Sequence, residues 1–98
     1  MAVHETREIR EAAWIGDAVL ALIIREQILK SGHTFESGAD RLQQELTSNK
    51  FLNRFGRPSA IEAEIGMAYT SGGVTAARDW IEQHLGNHIR KIIRPERI

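Results

Sequence analysis

The stretch Ala12-Ala13-Trp14-Ile15-Gly16-Asp17-Ala18-Val19-Leu20-Ala21-Leu22-Ile23-Ile24 decides the fold of this chain, and it carries a single charge, at Asp17. Ile9, Ala13, Leu20 and Ile24 fall on one stripe at helical spacing, and Val19, Leu22 and Ile23 widen it. The spacing predicts a long helix over about residues 5–29. Its middle is apolar nearly all round, which predicts a central helix buried by its neighbours.

Working outward, Ser31 to Asp40 reads as a loop, and a second helix is expected from Asp40 to Phe55, with Leu42, Leu46, Phe51 and Leu52 inward. Gly56 can end it, and Pro58 favours a fresh start. A third helix starts at Ser59 and fades at Ser71-Gly72-Gly73. A fourth runs over about residues 75–92, with Trp80, Ile81, Leu85 and Ile89 at helical spacing, and Pro95 stops it. No segment alternates with period two, so the fold class expected is all-α.

The 98 residues suit one domain without repeat or linker. Hydrophobic residues make up 42% and charged residues 27%, as in ordinary globular proteins. There is no cysteine, which excludes disulfides and thiolate metal or redox chemistry. The most apolar run, Ala18 to Ile24, is far short of the ~20 residues of a membrane span. The first residues are polar and lack a signal-peptide core, so no membrane partner and a cytoplasmic location are expected. Net charge is zero, which argues against a binder held by basic charge alone. The first half is acidic and the second basic, with Arg90, Lys91, Arg94 and Arg97 clustered at the end. Cations there suit the negative end of a helix.

Asp17 is the residue that does not fit. It shares a face with Ala13, Leu20 and Ile24, and a buried, unpaired carboxylate is costly. An ion pair with Arg10 or a place in a surface crevice would compensate it; a bound cation is the sharper alternative. The residues alone lean to the ion pair or the crevice. Beside it, Gly16 costs about 1 kcal/mol relative to alanine in mid-helix, which points to a second helix crossing closely. The third helix has its own mid-helix glycine, Gly66. A Gly16–Gly66 crossing would bring Glu62 near Asp17. Glu62 has an equally good local role, because Ser59 to Glu62 has the capping-box spacing. Glu64 reads as a solvated acid. His84 and His88 stand one turn apart and could bind metal, but histidine is common near helix ends for dipole reasons, and that reading is preferred.

Three segments resemble the ribonuclease III family. Ala13-Trp14-Ile15-Gly16-Asp17-Ala18-Val19-Leu20 is similar to its signature helix, usually LEFLGDSVL. It is nearer still to the AYIGDAVYE form of the Mini-ribonuclease III branch, which lacks a double-stranded-RNA-binding domain. Ser48-Asn49-Lys50-Phe51-Leu52 resembles the second motif, and Ile61-Glu62-Ala63-Glu64-Ile65-Gly66 resembles the VEALIGA helix. Gly73 to Leu85 looks like the helix that follows. The resemblance covers about residues 8–86 in order, leaving a basic extension over 87–98.

The resemblance implies a compact helical endonuclease domain, working as a two-fold homodimer on double-stranded or structured RNA, with Mg²⁺ or Mn²⁺ as cofactor. It implies that Asp17 and Glu62 are the catalytic, metal-binding carboxylates. It puts Trp14 at the aromatic position that packs into the partner subunit. Lys50 and Asn49 fall in the second motif, and with Arg54 and Arg57 they are the expected RNA contacts. A role in processing ribosomal RNA precursors is one such task. The departures are specific. Arg10 and Ala13 stand where full-length members carry two further glutamates, and Ser59 stands where they carry an aspartate. The Mini branch also has a small apolar residue at the Ala13 position and a hydroxyl at the Ser59 position. The connection from Leu52 to Glu62 is shorter than in that branch. A module of the same fold that has lost cleavage and kept dimerisation or RNA docking is the alternative. A third reading, which the order of the motifs disfavours, is an unrelated helical interaction domain in which Asp17 pairs with Arg10 and Glu62 caps its helix.

Overall fold

The computed structural model describes residues 6–94, and every regular element among them is helical. Helix α1 spans Arg7–Lys30, α2 Ala39–Leu46, α3 Asn49–Leu52 and α4 Pro58–Ile92. The expectation for Glu5 falls outside the described residues. Within them, Thr6 caps α1 by accepting a bond from the Ile9 amide at 3.1 Å. Pro95 and Arg97 also lie outside.

The second helix is not continuous. It breaks at Thr47 and Ser48, because both hydroxyls bond to backbone in place of the next helical turn. Thr47 Oγ1 donates to the Gln43 carbonyl at 2.8 Å and Ser48 Oγ to that of Glu45 at 2.7 Å. Ser48 then caps α3, accepting from the Phe51 amide at 3.1 Å. Asn53 to Arg57 are non-helical, so α3 ends before Phe55.

Helix α4 is two helical arms, 58–72 and 74–92, joined at Gly73. There φ is +74° and ψ −167°, a conformation that any side chain would strain. The expected fade at Ser71-Gly72-Gly73 is this joint. The start differs from expectation by a residue with a consequence. Arg57 is the cap and Pro58 the first helical residue, so Ser59 sits inside the first turn. Ser59 and Glu62 therefore do not form a capping box, and the Glu62 carboxyl is left for another partner.

The core is built where α1 meets both arms of α4. Leu20, Ile23, Ile24, Ile65, Ala77 and Ile81 have no exposed surface, and Leu46 and Leu52 of the short helices close the same cluster. Ion pairs such as Arg78–Glu26 at 2.8 Å lie outside it, at the surface.

The expectation that α1 is buried nearly all round is corrected. Its buried residues are Gly16, Val19, Leu20, Ile23, Ile24 and Ile28, a single stripe at helical spacing. Trp14, Ile15 and Leu22 are exposed, with Trp14 at 78%, and Ile9 lies at the margin. A core reached from one side can cover only one face of a helix; Leu22, expected to widen the buried stripe, points away from it. No helix among the described residues is long and apolar enough to cross a membrane.

Candidate functional site

The site begins with two missing side chains. A Cβ on Gly16 would fall on the carbonyl of Glu62 and lie 2.9 Å from the Gly66 nitrogen. A Cβ on Gly66 would fall on the carbonyl of Ala12 and lie 3.1 Å from the Gly16 nitrogen. The backbones of α1 and the first arm of α4 are thus in direct contact, with residue numbers rising in opposite directions along the two helices. Each helix lays one carbonyl on the other's glycine. Alanine at either position would push the helices apart.

This contact sets Asp17 beside Glu62. Residues on an α-helix step round by roughly 100°, so the neighbour of Gly16 stands at the margin of the crossing. Asp17 is accordingly exposed, not buried on the core face as its spacing suggested. From that margin its carboxyl oxygen accepts a hydrogen bond from the protonated Glu62 carboxyl, which is half-buried one turn before Gly66. Arg10 is exposed and makes no ion pair among the described residues, so the Arg10–Asp17 pairing is not formed.

The electrostatics follow from the packing. The Glu62 carboxyl is pushed up from 4.5 to about 7, first because burial removes water from its charged form. The hydrogen bond with Asp17 and the repulsion of its charge act in the same direction. Below about 7 the Glu62 carboxyl therefore keeps its proton. Once that proton leaves, two carboxylates stand next to each other. Oxygen donors of this kind suit a hard divalent cation, and Mg²⁺ needs only one or two carboxylates beside water and phosphate. The donor set therefore fits Mg²⁺ or Mn²⁺, which would be held by Asp17 and Glu62. No group of three or more His, Cys, Asp or Glu gathers round one point among the described residues.

The expected RNA contacts divide. Asn49, Lys50, Arg54 and Arg57 are all exposed, and none makes an ion pair among the described residues. Lys50 and Arg54 line one shallow recess of about 360 Å³ with Glu45, Ser48 and Phe51. Arg57 lines a different recess of about 300 Å³, with Phe55, Glu64, Trp80 and His84. The basic residues are thus presented from two places, not from one patch.

Sequence reasoning named Trp14 at the surface of α1 but missed what accompanies it. Ile15, Ala18, Leu22 and Leu29 are exposed on the same helix, and Phe35 stands 79% exposed in the following loop. Reciprocal bonds between Thr34 and Ser37 hold that loop in a tight turn. The signal was the surplus of apolar faces on α1, more than a one-sided core could cover. Scans against known protein families, and searches of curated proteins and of solved structures, return no match for this chain.

Proposed function

We propose that this chain is a metal-dependent endoribonuclease of the ribonuclease III type, hydrolysing phosphodiester bonds in double-stranded or structured RNA. One observation carries the reading: Asp17 and Glu62 stand side by side at a backbone-to-backbone helix crossing. Placing like charges together destabilises a fold, and no cation among the described residues is paired with either acid. Such an arrangement is expected where a ligand supplies the missing positive charge.

Asp17 and Glu62 would hold the Mg²⁺. When bound, that ion supplies an activated water and neutralises charge on the phosphate. The protein's own part is positioning. The glycine crossing fixes the separation of the two carboxylates, and Glu62 gives up its proton near neutral pH. Lys50 and Arg54, which line one recess and make no ion pair among the described residues, are suited to phosphates flanking the scissile bond. Duplex RNA is read chiefly through phosphates and 2′-hydroxyls, so little sequence preference is expected. The exposed stripe of Trp14, Ile15, Ala18 and Leu22 supports a two-fold homodimer, which would double the basic surface along the duplex.

A second reading rests on the size of the donor set. With Arg10, Ala13 and Ser59 at the family's acidic positions, two carboxylates remain. A fold that docks or dimerises without cleaving would tolerate that loss. Incubation with labelled duplex RNA and Mg²⁺, beside Asp17→Asn, separates the two. Cleavage that vanishes in the variant supports the enzyme. An intact duplex with both Mg²⁺ and Mn²⁺ at high protein concentration sinks it in favour of the docking module.

A further inference from the structure

The pair His84 and His88 on the second arm of α4 takes no part in the carboxylate site. Histidine near a helix end is ordinarily explained by the dipole, but that effect is confined to the last turn. The last turn of α4 ends at Ile92 and carries Arg90 and Lys91. His84 stands two turns short of the end, so the dipole does not account for it.

The contacts of His84 leave one of its ring nitrogens able to ligate. Its Nδ1–H donates to the Trp80 carbonyl at 2.8 Å. A carbonyl only accepts, so this bond assigns the proton to Nδ1 and leaves the lone pair on Nε2. Metal-binding histidines are commonly oriented in this way, through a backbone carbonyl on the other ring nitrogen. The ring is further held by stacking on Trp80, with centroids 4.1 Å apart and planes at 19°. His88 follows at i+4 on the same exposed face, its ring set edge-on to Phe55 with centroids 4.8 Å apart. Side chains at this spacing are surface neighbours, as in the paired histidines of helical zinc motifs. Glu64 lines the same recess as His84 and sets a negative charge against that of Arg57.

We propose that His84 and His88 form a two-imidazole site for a late first-row divalent cation, with zinc or copper the natural occupants. Imidazole favours these ions over magnesium. The other coordination positions stay open to water or an outside ligand. The site is independent of the carboxylate pair and of the RNA reading.

The test titrates zinc chloride into the full chain carrying His4→Ala, which removes an imidazole outside the described residues. Calorimetry is expected to give a micromolar zinc isotherm that magnesium, binding more weakly at the carboxylates, does not reproduce. His84→Ala and His88→Ala should each weaken zinc binding by at least about tenfold. Both residues are exposed, so circular dichroism should be unchanged. In a Trp14→Phe background, copper should quench Trp80 through the stacked ring, and His84→Ala should remove the quenching. The assignment is overturned if the parent gives no zinc isotherm, or if its affinity survives in the double variant. It is equally overturned if Asp17→Asn abolishes the zinc isotherm, since the heat would then belong to the carboxylates.

Discussion

In the middle of α1, from Ala12 to Ile24, both faces are largely apolar, yet they meet opposite fates. On one face Leu20, Ile23 and Ile24 are wholly buried, and Gly16 touches the backbone of α4. On the other, Trp14 and Leu22 stand in solvent at 78% and 51% exposure. The difference teaches that hydrophobicity measures what a helix is able to bury, not what its own domain covers. The inner face is specified atom by atom, because missing side-chain bulk at Gly16 and Gly66 admits one crossing only. The outer face carries no such constraint within the chain, and an apolar face left in water is characteristic of an interface.

The strongest way to break this comparison is to truncate one leucine on each face. Leu20→Ala should cost roughly 2–5 kcal/mol by leaving a cavity in the core. Leu22→Ala should stay within about 0.5 kcal/mol in dilute, monomeric protein. Equal losses in urea unfolding would mean that the outer face is covered after all.

Next in size, Gly16→Ala should destabilise by about 1–3 kcal/mol through the clash with the Glu62 backbone, although alanine favours a helix by about 1 kcal/mol. A stabilised variant would show that the helices do not cross as described.

The third prediction concerns pH. Because the folded state raises the Glu62 pKa from 4.5 to about 7, its contribution is fully present below pH 4.5 and is lost as pH rises through about 7. Urea midpoints should therefore fall across that window through Glu62, and Glu62→Gln should flatten the fall. If the carboxylates hold Mg²⁺, adding it at pH 8 should restore part of the parent's midpoint and none of the variant's. A parent midpoint indifferent to Mg²⁺ at that pH counts against the metal assignment.

The smallest effect on the monomer is expected at Trp14. Trp14→Ala should leave the unfolding midpoint of dilute protein nearly unchanged, yet shift sedimentation toward the monomer if the outer face pairs two copies. Identical sedimentation of the two proteins at high concentration would remove the dimer from the proposal.

Much of the site was legible in the residues because glycine in mid-helix is informative. Gly16 and Gly66 each lack the bulk a helix surface normally shows, and pairing them placed Glu62 by Asp17 without further assumption. Competing local roles were resolved only by the structure. Ser59 has capping chemistry, but Pro58 takes the first helical position and moves the cap to Arg57. The break between α2 and α3 was hidden because Leu42, Leu46, Phe51 and Leu52 keep a plausible helical spacing across it. Two hydroxyls bonding to backbone interrupt the helix without disturbing that pattern.

The sequence by itself determined the all-α class, a break over Ser71-Gly72-Gly73, and the glycine contact that brings two acids together. These depend on local backbone preference and on side-chain bulk, which are properties of each residue. Only the tertiary structure decided which side of α1 is covered, that Asp17 lies at the margin of the crossing and not under it, and that Lys50 and Arg57 face different recesses. Those outcomes depend on how many neighbours reach a surface and from which side, and no single stretch of chain carries that information.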